Sequence, residues 1–508
     1  MNTAVAQPAF IANLDTLIRA RYPLLYLVSW EEQRLEQILD ELARGHGKSL
    51  YVWSVTTGLR KSNDDRLGPV LPDTLEPQKA LQAIAELTEP ALVILRDFHP
   101  YLTDAPTVRR LRELGRSLRS TYVTVLFISP LLSLPPELEK EVTVVDIPLP
   151  KYNELLLLLK EIVAVVRKAG NAKVDLNRVS ADQLIRAALG LTLTEAENAF
   201  AKAIAHDGKL DGDDIKGVQD EKRQVIRKSG LLEFYEADQG LDEVGGVDLL
   251  KGWLSRRKDA FTERAIQFGL PAPKGVLLLG VQGCGKSLCA KAVAKHWQLP
   301  LLRLDIGRIF SGLVGSSEEN LRKAIRVAEG VAPVVLWVDE VEKALSGAGA
   351  GANDTGVTAR ILGTLLTWLQ EKTEPVFVVA TANKIEMLPP EFLRKGRFDE
   401  IFFVDLPTAV EREIILAIHL RRRKRDPVRF DTVALAQSAR GFSGAELEQA
   451  IVAGLFEAFH QGVELAQSHL ETALAETVPL SKLMSEEMQR LRSWAQDRAR
   501  PASSGRDP

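Results

Sequence analysis

A glycine-rich segment in the second half of the chain has the composition of a phosphate-binding loop. Residues 280–287 read GVQGCGKS and continue the apolar run VLLLG at 276–280. Glycines let consecutive backbone N–H groups turn toward a phosphate, Lys286 supplies a point charge to the β- and γ-phosphates, and Ser287 supplies a hydroxyl to Mg²⁺. Because the strand, the spacing and both side chains agree, the segment predicts a nucleoside-triphosphate site.

Two later apolar runs end in polar residues that suit the same chemistry. VVLWVD (334–339) is followed by Glu340, and VFVVATA (376–382) by Asn383. At such an edge Asp339 can hold Mg²⁺ through water, Glu340 can polarise the attacking water, and Asn383 can orient it or contact the γ-phosphate. Alone, the acidic pair would more often be a solvated loop entry and Asn383 a turn residue. The preceding phosphate loop favours the catalytic interpretation.

A basic segment, FLRKGRFDE (392–400), contributes Arg394 and Arg397. A helical lid folded over the site would keep these cations from the phosphates of their own subunit. A neighbouring subunit in a ring could instead present them as arginine fingers, which stabilise charge developing at the γ-phosphate. The alternative is a solvated basic loop, which would be favoured without the surrounding motifs.

The elements that position these residues alternate between strands and helices. VLLLG (276–280), LLRLD (301–305), VVLWVD (334–339) and VFVVAT (376–381) are short and continuously apolar, with helix-length stretches between them. This pattern predicts a parallel sheet covered on both faces. Residues 431–475 have helical periodicity alone, which indicates a helical lid. The expected fold class is therefore α/β, a P-loop NTPase parallel sheet with a helical lid.

The first half of the chain repeats this organisation. LPPELEK (134–140) matches LPPEFLRK (388–395) at an offset of 388 − 134 = 254, and GLTLTEAENA (190–199) matches GFSGAELEQA (441–450) at 441 − 190 = 251. The first strands begin at Leu24 and Gly275, again 275 − 24 = 251. We interpret the first half as a second, degenerate copy of the same domain, a sheet with its own lid. Two unrelated α/β domains of similar composition are the alternative.

The first copy lacks the phosphate-binding residues. At the loop position it reads SWEEQRLE (29–36), with no glycine and no lysine. Glu31 and Glu32 would repel phosphate without a cation to offset them, and Arg34 lies too far into the following helix to replace the lysine. The later strand ends in Arg96-Asp97-Phe98, where Asp97 is more typical of a cap or turn than of a metal ligand. We therefore expect this copy to bind no nucleotide.

Five segments are expected from these patterns. They are a degenerate copy of the nucleotide-binding domain with its own lid (1–206), a linker (207–236), the nucleotide-binding α/β core (237–408), its helical lid (409–483), and a C-terminal helix with a disordered tail (484–508). The linker assignment rests on the polar, glycine-rich stretch HDGKLDGDDIKGVQD (206–220).

The composition is that of an ordinary soluble globular protein, with 45% apolar and 26% charged residues. A formal net charge of −3 gives no reason to expect nucleic acid or an anionic membrane as the main partner. Two cysteines cannot form a disulfide framework, which fits a reducing compartment. No stretch approaches the length of a membrane span, and the N-terminus lacks a signal-peptide pattern. We expect a cytoplasmic protein or one in the soluble space of an organelle.

Taken together, these segments resemble the AAA ATPase family. DEVGG (242–246), the phosphate loop (Walker A), VDE (Walker B), ATAN, LRKGRFD and GFSGAEL follow one another in that family's order over about 242–475. The resemblance implies an α/β nucleotide-binding core with a helical lid, ATP and Mg²⁺ as cofactors, and assembly into homo-oligomeric rings, usually hexamers. Both halves together, including LRSWAQDRAR (491–500), resemble AAA ATPases of cyanobacteria and algal plastids.

The resemblance also implies nucleotide-binding roles for further residues. Gly246, His419 and Ala445 match family positions that line the adenine and ribose pocket. The nucleotide-binding segment itself covers Gln282, Gly283, Cys284, Gly285, Lys286, Ser287 and Leu288. Gln282 and Cys284 replace the proline and threonine that are common in the family. Cys284 needs only its backbone N–H for phosphate binding, and a helix N-terminus tends to lower its thiol pKa, although burial opposes this effect.

We expect an ATP-hydrolysing ring in which the catalytic domain drives the first domain to recognise or remodel a protein client. An ATP-gated binding module, whose nucleotide state controls assembly, is the alternative from another functional class. Leu313 in SGLVGSSEEN (311–320) favours that alternative slightly, because substrate-threading relatives carry an aromatic residue there, whereas Glu340 favours turnover. A nucleic-acid partner is disfavoured, although LRRRKR (420–425) is a basic cluster; a solvated helix end is the commoner explanation.

Overall fold

The chain forms two compact units, Met1–Gln219 and Asp220–Pro508. The structure, a computed structural model, describes residues 8–63, 66–169, 173–228, 230–237, 239–309, 316–343 and 355–505. Each unit combines a mainly parallel sheet with helices and a helical lid.

The first unit is built from strands and helices that alternate along the chain. Its strands are β1 (Leu24–Val28), β2 (Ser49–Ser54), β3 (Gly58–Asn63), β4 (Arg66–Val70), β5 (Ala91–Arg96), β6 (Val123–Ser129), β7 (Thr143–Asp146), β8 (Lys173–Val174) and β9 (Lys209–Leu210). Its helices are α1 (Ala9–Arg19), α2 (Glu32–Gly45), α3 (Pro77–Ala85), α4 (Ala105–Leu118), α5 (Tyr152–Ala169), α6 (Arg178–Ala188) and α7 (Leu193–Asp207). The boundary between the two units, after Gln219, falls inside helix α8 (Ile215–Lys228).

The sheet of the first unit has the order β4-β3-β2-β5-β6-β1-β7. β2, β5, β6, β1 and β7 are parallel, and β3 and β4 extend one edge in antiparallel pairing. Along β1, Leu24 and Tyr26 belong to one core cluster, and Leu25 and Leu27 belong to another. Successive side chains of a strand point to opposite faces, so both faces of this sheet are covered, which explains the continuous apolar run.

The second unit contains β10 (Leu232–Tyr235), β11 (Gly275–Gly280), β12 (Leu301–Leu304), β13 (Val334–Val338), β14 (Val376–Ala382), β15 (Glu400–Val404) and β16 (Arg500–Pro501). Its described helices are α9 (Asp248–Ser255), α10 (Glu263–Gln267), α11 (Lys286–Trp297), α12 (Ile306–Ile309), α13 (Ser316–Val331), α14 (Thr355–Glu371), α15 (Ala409–Arg422), α16 (Thr432–Ser438), α17 (Gly444–His460), α18 (Gln467–Glu476), α19 (Leu480–Leu483) and α20 (Ser485–Ala495).

The two units share one strand order. The second sheet runs β10-β12-β13-β14-β11-β15-β16, with only β10 antiparallel to its neighbour among these strands. If the parallel strands of each unit are numbered along the chain, β2-β5-β6-β1-β7 and β12-β13-β14-β11-β15 both read 2-3-4-1-5. The sequence repeat is therefore a repeat of topology, and the predicted α/β fold class is confirmed for both halves.

The lids also correspond. Helices α5, α6 and α7 pack together in the first unit, and α15–α18 pack around a separate apolar cluster in the second. Thr192 caps α7 with Glu195, and Ser443 caps α17 with Glu446, an offset of 443 − 192 = 251. In each capping box the hydroxyl accepts a hydrogen bond from the N3 backbone N–H, and the carboxylate accepts one from the N-cap N–H. These two bonds fix the residue at which the helix begins.

Residues 207–236, the segment assigned as a linker, contain the boundary between the two units and are built largely of regular elements. Strand β9, helix α8 and strand β10 lie in this segment. Asp211 accepts the N–H of Asp213 at 2.8 Å, and Asp214 accepts the N–H of Asp211 at 2.8 Å. The acidic residues thus satisfy backbone donors just before α8, as residues at a helix N-terminus do. Their polarity marks the start of a helix inside the linker segment.

The C-terminal segment is also more ordered than predicted. Helix α20 lies within the expected 484–508 segment, but residues 500–505, which we expected to be disordered, return to the sheet. Arg500 and Pro501 form β16 beside Phe402 and Phe403 of β15, and Ala502 is 1% exposed. Backbone pairing at a free sheet edge orders a segment whose composition alone looks flexible.

Candidate functional site

A cavity of about 690 Å³ lies in the second unit, beyond the carboxyl ends of β11, β13 and β14. In parallel sheets ligands bind at this edge. The sequence-predicted residues in its lining are Gln282, Gly283, Cys284, Gly285, Lys286, Ser287, Leu288, Asp339, Glu340, Asn383, His419 and Ala445. The fold therefore brings together residues that are up to 163 positions apart, 445 − 282 = 163.

The phosphate loop connects β11 to α11. Gly283 and Gly285 have φ of +74° and +84°, a backbone region that favours glycine. A Cβ at Gly283 would lie 2.9 Å from Ser443 Oγ, so the lid approaches the loop closely at this point. Lys286 is buried, and its ammonium donates to the carbonyls of Gly280 at 2.9 Å and Val281 at 2.7 Å. Burial lowers the pKa of Lys286.

Hydroxyl and carboxylate oxygens meet beside this loop. Asp339 Oδ1 accepts hydrogen bonds from Ser287 Oγ at 3.0 Å and from Thr381 Oγ1 at 2.7 Å. Hard oxygen donors of this kind fit Mg²⁺. Among the described residues, no group of three or more His, Cys, Asp or Glu could hold a metal, so a metal here would need nucleotide oxygens or water as well. Sequence analysis missed Thr381, whose only signal is its place beside Asn383 in ATAN.

Glu340 is held in place from three directions. Its backbone has φ +49°, and its N–H donates to Thr381 Oγ1 at 2.9 Å. Its side chain accepts a hydrogen bond from Asn383 Nδ2 at 3.1 Å and forms an ion pair with Lys343. A positive φ is uncommon outside glycine and is often found where a functional side chain is positioned. The arrangement directs a carboxylate and an amide toward the same part of the cavity.

The lid and the 245–247 turn form another part of the lining. Gly246 does not itself line the cavity, but its neighbours Gly245 and Val247 do. Gly246 has φ +73°, and a Cβ there would lie 2.3 Å from Glu411 Oε1. Sequence analysis missed Glu411, although Thr408 and Glu411 form a recognisable capping box at the start of α15.

The predicted lid residues His419 and Ala445 lie on α15 and α17. The N–H of Ala445 donates to the Gly283 carbonyl at 3.0 Å, which joins the lid to the phosphate loop. His419 Nδ1 lies 3.5 Å from Glu448 Oε1. Burial lowers the pKa of His419, and the nearby Glu448 carboxylate opposes this lowering.

Arg394 and Arg397 do not line this cavity in the part of the chain that the structure describes. Arg394 is exposed, and Arg397 donates to the Glu391 carbonyl. Leu313, the residue on which the pore-loop argument depends, lies outside the described residues. The arginine fingers therefore stay a prediction.

Cys284 lies just before α11, in the lining of the cavity, and is partly exposed. Burial raises the pKa of Cys284 to about 12, and the nearby Lys286 charge offsets only part of this rise. Its Sγ lies 3.7 Å from the Gln282 carbonyl oxygen. Burial therefore opposes the effect of the helix N-terminus, and the reactivity of this thiol stays a prediction.

The first unit has a buried ion-pair cluster where the second has its phosphate loop. Arg34 donates to Glu31 Oε2 at 2.5 Å, to the Pro148 carbonyl at 2.8 Å and to Glu154 Oε1 at 2.7 Å. The expectation that no cation offsets Glu31 is wrong. Arg34 lies in the first turn of α2, and helical side chains lean toward the N-terminus, so its guanidinium reaches back over the turn.

The same cluster holds the lid of the first unit. Glu31 Oε1 accepts the N–H of Leu193, the first residue of α7, at 2.7 Å. Burial raises the pKa of Glu31, and Arg34 together with this N–H offsets part of the rise. In the second unit a backbone contact between Ala445 and Gly283 makes the equivalent connection. A charged side chain therefore makes this connection in the first unit, whereas backbone atoms make it in the second.

The metal-binding position differs as well. β5 and β13 begin at an offset of 334 − 91 = 243, which aligns Arg96 with Asp339 and Asp97 with Glu340. Asp97 and Glu340 share the left-handed backbone, with φ of +46° and +49°. Arg96 donates to both oxygens of Glu36, at 2.5 and 2.6 Å. A guanidinium–carboxylate pair therefore lies where the second unit pairs a hydroxyl with a carboxylate.

Comparisons with known proteins identify the family of the chain. A model of the AAA family, described as the ATPase family associated with various cellular activities, matches residues 276–406. Models of the N-terminal and second domains of SpoVK-like AAA ATPases match residues 10–147 and 153–229. The chain belongs to the AAA ATPase family, for which nucleotide binding, typically with Mg²⁺, is general.

The similarity to individual relatives covers nearly the whole chain. The AAA domain-containing protein ycf46 of Pyropia yezoensis is 40% identical over 503 residues, which is 97% of this chain and 99% of that protein. Its namesake in Guillardia theta is 39% identical over 491 residues, 96% and 95% of the two chains. The ATPase family protein 2 homolog of Caenorhabditis elegans is 31% identical over 270 residues, 50% of this chain and 37% of that protein. Among the helices in the described ranges, none has the length and apolar character needed to cross a membrane.

Proposed function

We propose that the second unit binds ATP with Mg²⁺ and hydrolyses it. The supporting observation is that one cavity combines Lys286 and Ser287 at a helix N-terminus with Asp339, Glu340 and Asn383. Lys286 and the loop amides suit the phosphates, because a helix N-terminus and a cation both attract negative charge. Ser287 and Asp339 supply the oxygens that suit the metal.

Each side chain then has a distinct role in the proposed reaction. Mg²⁺, when bound with the nucleotide, neutralises charge on the β- and γ-phosphate oxygens. Thr381 and Ser287 hold the Asp339 carboxylate toward the metal position. Glu340 accepts a proton from the attacking water, and Asn383 keeps the Glu340 carboxylate oriented.

Two substitutions separate binding from hydrolysis. Lys286→Ala should abolish ATP binding, whereas Glu340→Gln should retain it and hydrolyse ATP at least about a hundredfold more slowly. Titration with a fluorescent ATP analogue and a phosphate-release assay measure the two properties. Lys384→Ala and Glu386→Gln, at exposed positions nearby, are the matched controls and should change neither. Wild-type hydrolysis by Glu340→Gln would show that another group is the general base.

We also propose that the active form is a homo-oligomeric ring, with a hexamer as the expected size. Arg394 and Arg397 lie outside their own cavity, so they would act only across a subunit boundary. Two phenylalanines on the lid helix α17, Phe456 and Phe459, are 71% and 85% exposed. Large apolar side chains at such spacing often mark interfaces. Mass photometry of Glu340→Gln with and without ATP tests this, and a chain that stays monomeric with saturating ATP would contradict it.

The first unit is proposed to bind no nucleotide. The buried Arg34–Glu31 pair and the Arg96–Glu36 pair stand where phosphate and metal would have to be. Calorimetry should find one ATP per chain in the wild type and none in Lys286→Ala. Two ATP per wild-type chain would refute this part of the proposal.

The final part of the proposal is that ATP turnover acts on a protein client, in the cytoplasm. The two cysteines are free thiols, which fits a reducing compartment. A Glu340→Gln chain that holds ATP should retain a client, whereas Lys286→Ala should not. If neither chain retains a protein but ATP changes the assembly state, the ATP-gated module is the better description.

A further inference from the structure

Residues 500–505, called the strap here, pack against the 245–250 region of the second unit. The N–H of Ala502 donates to the Phe403 carbonyl at 2.9 Å, and the Ala502 carbonyl accepts the N–H of Leu250 at 3.1 Å. The N–H of Ser504 donates to Asp248 Oδ1 at 2.8 Å. The strap therefore connects β15 to the beginning of α9 through three hydrogen bonds that involve its backbone.

The side chain of Ser503 lies in the lining of the nucleotide cavity. Its Oγ donates to Glu411 Oε1 at 2.6 Å and accepts the N–H of Val247 at 3.2 Å. The same N–H also donates to Glu411 Oε1 at 3.1 Å. Ser503, Glu411 and Val247 thus form a closed triangle of hydrogen bonds, contributed by the strap, the lid and the 245–247 turn.

This triangle stabilises an unfavourable backbone. Val247 has φ +53°, and a β-branched residue in that region is strained. A Cβ at Gly245 would lie 2.3 Å from Ile415 Cγ1, so the turn also packs directly on the lid helix. The turn needs outside contacts to keep this conformation, and Ser503 supplies one of them.

The lining near the turn differs from the lining near the phosphate loop. Val244, Gly245, Val247, Ile415 and Ile418 supply apolar surface there, next to the polar Glu411 and His419 of the same lid helix, whereas Lys286, Ser287 and Asp339 belong to the phosphate and metal region. A planar, mainly apolar base suits the first part, and the charged triphosphate suits the second.

We propose that the strap is part of the nucleotide pocket and that Ser503 is a positioning residue for the nucleoside, acting through the Val247 turn. This inference rests on the proposed ATP binding and adds a residue and a segment to it. Removing the Ser503 hydroxyl frees the turn to leave its strained conformation, and nucleotide binding then has to restore that conformation. Affinity falls for every nucleotide that carries the nucleoside, whatever its number of phosphates.

The test compares three ligands on the full-length protein. Isothermal titration calorimetry with ATP, ADP and inorganic tripolyphosphate is applied to wild type, Ser503→Ala, Ser503→Thr and the control Ser485→Ala, whose site is exposed at the start of α20. Ser503→Ala should weaken ATP and ADP by the same factor, roughly threefold to tenfold, which corresponds to one hydrogen bond. Tripolyphosphate should bind all four proteins equally, and Ser503→Thr, which keeps the hydroxyl, should restore most of the affinity.

A chain truncated after Arg498 provides a second variant. It should lose at least as much ATP affinity as Ser503→Ala. Hydrogen exchange of residues 244–250 should be faster in both variants and should slow on addition of ADP.

Three results would overturn the inference. Unchanged ATP affinity in both variants would show that the strap is not used, and tighter binding would show that it obstructs the pocket. Equal weakening of tripolyphosphate would show general loosening of the unit. Failure of the wild type to bind ATP would instead refute the proposed function itself, and the inference with it.

Discussion

Replacing Arg34 with alanine is expected to destabilise the first unit by about 3–5 kcal/mol, the usual cost of removing one partner from a buried ion pair. Arg34 and Glu31 have side chains only 4% exposed, so water cannot solvate the carboxylate that remains. Glu154, the second carboxylate that Arg34 contacts, is 22% exposed and can be partly hydrated. The loss of its partner therefore does not double the destabilisation. For a unit of this size, such a loss lowers the melting temperature by roughly 10 °C.

Differential scanning calorimetry of the full-length chain measures this effect. The melting transition of the second unit is identified by its upward shift with ATP and Mg²⁺, a shift that Lys286→Ala should remove. The other transition should move only in Arg34→Ala. Faster hydrogen exchange at the Leu193 amide, which donates to Glu31, provides a local measurement of the same loss.

The pH dependence gives an independent check. Burial already raises the pKa of Glu31, and loss of the opposing Arg34 charge raises it further. A carboxyl group with a raised folded-state pKa adds stability at low pH and loses that contribution as the pH rises through the folded-state pKa. The deficit of Arg34→Ala should therefore shrink as the pH falls and grow as the pH rises through the folded-state pKa of Glu31.

The double variant Arg34→Met with Glu31→Gln is the matched control. It removes both charges but keeps an acceptor for the Leu193 N–H, so it should recover most of the stability. A loss of less than about 1 kcal/mol in Arg34→Ala, or a double variant as unstable as the single one, would refute the reasoning.

Three further predictions concern the second unit. Mixing Arg397→Ala with Lys286→Ala chains should restore some hydrolysis, because mixed interfaces pair an intact site with an intact arginine finger. If the subunits demonstrably exchange and no hydrolysis returns, Arg397 does not act on the site of a neighbouring subunit. Thr381→Val should keep ATP affinity and slow phosphate release by roughly tenfold, because Asp339 and the Glu340 amide lose a shared hydrogen-bond partner; unchanged turnover would contradict this. Cys284 should react with iodoacetamide more slowly than glutathione does at pH 8, because burial raises its pKa to about 12 and leaves little thiolate; labelling at the rate of glutathione would contradict this.

The sequence was informative where function depends on short segments. The phosphate loop, the Asp339-Glu340 pair and the strand runs are local patterns, and a buried parallel strand is apolar throughout. The shared strand order also followed from the repeat, because two copies with the same spacing of strands and helix caps form the same sheet and lid.

Contacts between residues distant in sequence could not be predicted in this way. Arg34 contacts Glu154, 120 positions later, and Ser503 contacts Glu411, 92 positions earlier. No spacing rule relates such pairs, since their proximity depends on how the lid and the strap return to the sheet. Polarity alone was misleading in both cases: it made Glu31 look uncompensated and the strap look disordered.

The Arg96–Glu36 pair has a consequence for how the first unit can evolve. An aspartate at position 96 alone would place a second carboxylate against Glu36, and a serine at position 36 alone would leave the guanidinium with Glu32 at 3.9 Å. Either single step costs stability before any metal affinity is gained. The two residues are therefore coupled: a single substitution at either position leaves one charge of the pair without its close partner, so the two positions are expected to change together.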